Sequence, residues 1–351
     1  MKPGFRQSEW YATLLICSPM RPPAAPSGSG DHGASTPSPV GCVKIAITAW
    51  QSESGWYGDT ICRQAEQAEA MGFHSYWLPE NHFGDRRAIP SPLTLLAAAA
   101  VRTRGLKLGT TSYLLPIRHP IQAAEEVAVV DQLSRGRLIL GLGRGIQDAV
   151  FEVFGVPGRE KRARFEANLG IMRQAWRGEP VYDPVGGESA CLAPLPVQQP
   201  HPPLWVAAFG PLALKQAGGL GLPYLCSPIE PLEDLVANVA LHRAAAEAAG
   251  LQLEATMPVM RTVFISEDAA AVARVKEKLA SVVPPRLRRG AAAVDDWAIV
   301  GDRHYARDRL AEYRARLGVT HLIGGGRLPM IEENLLLRSH QRLAEMGEAT
   351  G

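Results

Sequence analysis

The run Leu138-Ile139-Leu140-Gly141-Leu142-Gly143-Arg144-Gly145 joins a short apolar stretch to three glycines and one arginine. Apolar residues of this kind suit a buried parallel strand, and glycines just beyond it let a ligand approach the backbone. Amides freed at a strand end can point at phosphate oxygens, while a guanidinium adds a fork of charged donors. The chemistry on offer is anion binding, with Arg144 as its centre. Spacing alone does not name the anion, and a plain structural turn stays open. The pattern is not the dinucleotide fingerprint G-x-G-x-x-G, because Ile146 stands where the third glycine would be. Glu166, where that fingerprint wants an acid, falls inside a helical pattern rather than at a strand end.

A second polar group, Glu80-Asn81-His82, follows another apolar run. Histidine is the side-chain type suited to proton transfer near neutrality, which makes His82 the candidate; the alternative is that Glu80 and His82 only hold their loop. His74 and His82 could suggest a metal, but His74 falls inside a predicted strand and no cysteine or carboxylate completes a ligand set, so no metal is expected. Arg118-His119-Pro120 reads as a turn into a helix with solvent-facing polar groups. The basic run Arg286, Leu287, Arg288, Arg289 sits in a loop-like segment, 281–303, and Arg327 follows three glycines.

From Val43 onward the chain repeats one pattern: an apolar, β-branched run, a loop, then a helical stretch. The predicted strands are 43–49, 74–78, 107–112, 137–141, 204–207, 222–225, 258–264 and 319–324. Helical patterns lie at about 59–71, 91–102, 119–134, 160–177, 211–219, 231–249, 267–281 and 305–317, with a last one at 331–346. Asp59 is placed to cap the first helix and Gly72 to end it; Pro120 suits the start of the third and Gly136 follows its last turn. In that third helix Ile121, Ala124, Val127, Val130 and Leu133 form one apolar face, with Glu125, Glu126 and Asp131 pointing elsewhere. Strand and helix alternating eight times imply parallel pairing with right-handed crossovers, and a closed (β/α)8 TIM barrel rather than an open sheet. A barrel site is built at the C-terminal strand ends. Those ends hold Trp50, Pro79 to His82, Thr111-Ser112, Gly141 to Gly145, Ala208 to Gly210, Cys226-Ser227 and Gly324 to Arg327.

Composition narrows the function classes. The 351 residues are 46% hydrophobic and 21% charged with a net charge of +2, an ordinary globular balance. Without a dense basic stripe interleaved with aromatics, neither nucleic acid nor a membrane surface is expected as a partner. Five scattered cysteines without a C-x-x-C pair favour reduced thiols in a cytoplasmic protein. Residues 1–40 are rich in Pro, Ser and Gly and read as a disordered extension, or a start codon placed too early, rather than an export signal, leaving 41–351 as the barrel.

The stretches WLPENHF (77–83), LGTTSYLLPIRHP (108–120), EEVAVVDQLSRGRLILGLGRG (125–145), FEVFGV (151–156) and PHPPLWVAAFGP (200–211), in this order, resemble the bacterial-luciferase-like flavin monooxygenases. The likeness covers nearly everything after residue 42, and that family's fold is a (β/α)8 barrel. It implies reduced flavin mononucleotide (FMN), supplied by a separate flavin reductase, that reacts with O2 to oxidise a small organic substrate, and a homodimer or heterodimer. It implies that Arg144 contacts the flavin phosphate with Gly143 and Ile146 beside it. Gly210, Pro211 and Ala213 resemble the loop and helix start that offer backbone amides to the same phosphate. Thr111 and Ser112 resemble the strand end against the flavin ring, where the family tends to have a non-prolyl cis peptide.

Two positions depart from the family. Asn81 stands where the luciferase motif has its catalytic histidine, and asparagine cannot serve as a general base, which leaves His82 as the substitute. Phe209 is bulkier than the small or hydroxyl residues usual there. Residues 281–303 are expected to form a mobile lid that shields the oxygen chemistry from water. A deazaflavin (F420) hydride-transfer oxidoreductase on the same fold, or a non-catalytic flavin-binding protein, are the alternatives.

Overall fold

A computed structural model describes residues 42–50, 57–83, 88–185, 187–282, 293–328 and 331–348; the 1–40 extension and the basic run at 286–289 lie outside them. The strands are β1 (Lys44–Thr48), β2 (Ser75–Leu78), β3 (Lys107–Thr110), β4 (Tyr113–Leu114), β5 (Leu138–Gly143), β6 (Leu204–Ala207), β7 (Tyr224–Leu225), β8 (Pro258–Ile265), β9 (Ala298–Gly301) and β10 (His321–Gly325). The helices are α1 (Tyr57–Ala70), α2 (Pro92–Arg102), α3 (Pro120–Ser134), α4 (Asp148–Val153), α5 (Lys161–Trp176), α6 (Pro211–Gly219), α7 (Leu232–Ala248), α8 (Ala269–Val282), α9 (Val294–Trp297), α10 (Arg303–Leu317) and α11 (Glu333–Glu348).

Each strand pairing is parallel, as the helical crossovers require. The sheet runs β7-β6-β5-β3-β2-β1-β10-β8. A parallel bridge from Cys226 to Val259, with the Cys226 amide donating to Pro258 O at 3.2 Å, joins its two ends. The ring therefore has the eight strands expected. β4 and β9 are additions: β4 extends the pairing along the far half of β5, and β9 lies on the far half of β8.

Strand alternation builds two cores. On β1, Ile45 and Ile47 face the helices, while Ala46 faces the barrel axis with Trp77, Ile139, Trp205, Leu225 and Ile323. Trp77 and Trp205 stack across the axis at 4.9 Å between ring centroids and fill most of that interior. Strands buried on both faces explain why the runs read as continuously apolar.

The floor, at the N-terminal strand ends, is polar but closed. His74 and His321 meet edge to face, 5.4 Å apart. Burial, with Lys44 and Lys107 adding to it, pushes His74 down to about 4, and burial with His74 beside it pushes His321 down to about 3. Arg137, just before β5, donates to Ser134 O, Leu106 O and Ala100 O at 2.7 Å each, to Thr103 Oγ1 at 2.9 Å and to Thr103 O at 3.1 Å.

Several local expectations are corrected. Asp131 is fully buried and Leu133 largely exposed, because the Asp131 carboxylate accepts the backbone and side-chain N–H groups of Gln198 at 2.8 Å each. Polar contact with a distant loop thus turns the buried face of α3. His74 precedes β2 rather than lying in it, and Asp59 sits inside the first turn of α1 rather than at its cap. The described part of 281–303 is not open loop: it contains α9 and β9, whose AIVG run pairs with β8.

Candidate active site

The loops at the C-terminal strand ends enclose a cavity of about 870 Å³. Seven of the eight ring strands reach it through the loop that follows them, and β8 reaches it through Met260 within the strand. Of the residues expected from sequence, Glu80, Asn81, His82, Thr111, Ser112, Gly143, Arg144, Ile146 and Arg327 line it together.

Arg144 leaves the end of β5 on the cavity wall. Burial lowers its pKa, with the positive charge of Arg162 adding to the effect, and among the described residues it has neither a hydrogen-bond acceptor nor an acid partner. A desolvated cation left unpaired is costly, and a bound anion removes that cost. Gly143 is required by close approach: a Cβ there would lie 1.9 Å from Ser112 Oγ. The Thr111-Ser112 peptide is cis, at the position the family likeness indicated. Thr111 Oγ1 is buried without a hydrogen-bond partner among the described residues. Ile146 is 75% exposed and rims the opening.

The β6 side brings a partial correction. Ala207, Ala208 and Phe209 line the cavity, whereas Gly210, Pro211 and Ala213 stand behind it. Gly210 caps α6 with φ +84°, a backbone that favours glycine. Pro211 has no N–H, and the Ala213 amide donates to Gly210 O at 3.1 Å, so neither offers a donor to an anion. The donor remaining in that first turn is the Leu212 amide. The register Leu142 to Val206 makes the Arg144 and Gly210 loops neighbours on one side of the mouth.

On the adjoining wall, where β4 pairs with the end of β5, Glu80 is the centre of a bonded cluster. Its Oε1 accepts from Arg118 Nη2 at 2.7 Å and lies 2.9 Å from His82 Nε2, while its Oε2 accepts the Leu114 amide at 2.9 Å. Arg118 stacks over Tyr113, with its guanidinium carbon 3.9 Å from the ring centroid. It is therefore half-buried and committed to Glu80, which corrects the solvent-facing reading. Asn81 Oδ1 accepts the Ile89 amide at 2.8 Å and the Asn81 amide donates back to Ile89 O at 3.0 Å, so Asn81 pins its loop. The His82 side chain is only 7% exposed and packs against Phe83 and Phe154.

Much of the remaining wall is apolar, and Trp50 in it is braced from behind. Trp50 is held by Gln64, which donates to Trp50 O at 2.7 Å and accepts its amide at 3.1 Å. Burial raises the Cys226 thiol far above its usual range and keeps it protonated. Met260, Ile229 and Lys161 line the cavity without having been expected. Lys161 is hidden in the charged run at 159–164, and its only signal was its place at a helix start. Among the described residues no three His, Cys, Asp or Glu side chains gather as a metal site, and no helix is long and apolar enough to cross a membrane.

Comparison with known proteins places this geometry. The chain is 32% identical over 161 residues to the oxygenase component of the flavin-dependent trigonelline monooxygenase of Acinetobacter baylyi, covering 44% of each protein. It spans about half the length of the curated relatives it matches. The crystal structure of monooxygenase RslO1 from Streptomyces bottropensis shares 27% identity with a TM-score of 0.71, over 86% of this chain and 98% of that one. The FMN complex of the oxygenating constituent of 3,6-diketocamphane monooxygenase from Pseudomonas putida superposes with a TM-score of 0.75 at 20% identity, over 88% and 99% of the two chains, which shows the shared fold. Residues 42–321 match the family model for luciferase-like monooxygenases, and the chain belongs to that family.

Proposed function

We propose that this protein is a flavin-dependent monooxygenase that uses reduced FMN, delivered by a separate reductase, and O2 to oxidise a small organic substrate. The observation that carries the proposal is the Arg144 guanidinium, desolvated and without a partner among the described residues on the wall of the cavity at the barrel mouth. The residues present fit the cofactor. Arg144 suits its phosphate, and Thr111 Oγ1 on the same cavity wall is a buried polar atom without a hydrogen-bond partner among the described residues. A volume of about 870 Å³ lies toward the large end of ligand cavities, which leaves room for substrate beside the cofactor.

Reduced flavin, when bound, supplies the electrons that activate dioxygen; the chain supplies position, dryness and proton handling. Arg144 fixes the phosphate and so the direction in which the ring enters the mouth. Trp50, Ile89, Leu225 and Met260 keep water from the reacting end. Glu80, already balanced by Arg118, fixes His82 Nε2 as the N–H side of the ring. His82 Nδ1 is then the nitrogen that can take or return a proton at the cavity. Asn81, spent on Ile89, has no such part.

The test is to supply the purified protein with a flavin reductase, FMN, labelled dioxygen and a panel of small ketones, aldehydes and amines. The expected result is label in product that depends on FMN. Hydride transfer from reduced F420 with no FMN-dependent incorporation would replace this reading by the deazaflavin one. Binding of FMN without any product would leave a non-catalytic flavoprotein. Once a substrate is in hand, His82→Gln is expected to slow turnover on the order of a hundredfold; an unchanged rate would make His82 a residue that only holds its loop.

A further inference from the structure

The wall of the cavity divides into two arcs. Round the ring, β2, β3 and β5 are neighbours, and the loops that follow them carry Glu80, Asn81, His82, Thr111, Ser112 and Arg144. The other arc runs through β6, β7, β8, β10 and β1, and it presents Ala207, Phe209, Leu225, Ile229, Met260 and Trp50. The few polar groups of this second arc are spent or uncharged. Thr48 Oγ1 accepts the Gly326 amide at 2.9 Å, Ser227 Oγ accepts the Ile229 amide at 3.4 Å, and burial keeps the Cys226 thiol protonated. Arg327 has an interaction of its own. Glu80 is the only acid among the described residues of the wall, and Arg118, His82 and the Leu114 amide already occupy its carboxylate. A charged group placed in the second arc would be desolvated with no counter-ion waiting for it.

The bottom of this arc is also defined. Ala207, Leu225 and Met260 line the cavity and at the same time pack with the Trp77–Trp205 stack on the barrel axis. Met260 has the longest and most flexible side chain of the three, and it projects from within β8 rather than from a loop. We propose that the arc from β6 round to β1 holds the substrate, that the substrate is an uncharged, largely aliphatic molecule whose one polar group faces the His82 side, and that Met260 sets how long it can be. The proposal rests on the flavin reading above in one respect: the cofactor, drawn to Arg144, leaves this arc free.

The experiment is a calorimetric titration of the full chain, with and without oxidised FMN, using the straight-chain 2-alkanones as probes at about pH 7.5, with heptanoate and heptylammonium as charged counterparts of 2-heptanone. The ketone is expected to bind about tenfold or more tightly than either ion, and to bind beside FMN rather than compete with it. Along the ketone series, affinity rises about fourfold per added methylene up to a limiting length and then levels off. In Met260→Ala that limit moves longer by about three carbons, the number of heavy atoms removed, and in Met260→Phe it moves shorter. Heptanoate or heptylammonium binding as tightly as the ketone, no binding by any probe, or competition between ketone and FMN would overturn the proposal. A limit that stays in place in both variants would remove Met260 from it. Failure of FMN to bind, with the preference for ketones and the shift at Met260 intact, would overturn the flavin reading and leave the substrate class standing.

Discussion

Two arginines bracket the same strand. Arg137 precedes β5 at the floor of the barrel, and Arg144 follows its other end at the mouth. Burial lowers the pKa of both. Arg137 answers that cost with five hydrogen bonds to α2, α3 and the turns beside them, whereas Arg144 has none among the described residues. A saturated buried charge joins elements together, and an unsaturated one waits for a ligand. The floor is built for stability and the mouth for binding, and one strand carries the contrast along its length.

Substitutions can break or sharpen this contrast. The largest effect is expected from Arg137→Ala, which strands several buried carbonyls at once: unfolding free energy falls by on the order of 3–5 kcal/mol in urea titration, with flavin affinity of the folded fraction unchanged. A loss under 1 kcal/mol would erase the contrast. Next is pH. His74 and His321 have folded pKa values of about 4 and about 3, below the ordinary 6.5, so the unfolded chain binds more protons between those limits. Stability is fully present above the unfolded value and is lost as pH falls toward the folded ones. With the partial exposure of His74 discounted, the pair contributes roughly 3 kcal/mol between pH 7.5 and 4. Denaturant midpoints for wild type and His321→Asn check this, the variant being expected to show the shallower slope. An equal slope in both would show that the floor is wetter than its packing indicates.

The smaller effect is at the mouth. Gly143→Ala places a Cβ 1.9 Å from Ser112 Oγ and 2.9 Å from its Cβ, so the hydroxyl must turn away and the segment after β3 must give. Flavin affinity is expected to drop by about 1–3 kcal/mol while overall stability changes less. The reverse order, with stability lost and affinity kept, would place Gly143 in the scaffold rather than the site.

The eight ring strands were legible because each is buried on both faces, and their apolar runs stand clear of the loops. β9 was not, since its four residues AIVG follow the Pro- and Arg-rich stretch that gives 281–303 its loop character. The pairing of Arg118 with Glu80 spans thirty-eight positions, |i−j| = 38, and a helix-start arginine with a distant acid looks the same in sequence as one in solvent. Arg144 and Gly143 were legible because small residues and one cation at a strand end are few enough to single out. Lys161 was not, because it is one of several charges in a run and only the fold decides which of them faces inward.

The most direct test of the account is a pair of measurements on Arg144→Ala, its thermal midpoint and its Kd for FMN. The account predicts an unchanged or slightly raised midpoint, since no bond is lost, together with FMN binding weaker by about 1.5–3 kcal/mol. An unchanged Kd, or a midpoint that falls as it does in Arg137→Ala, would contradict it.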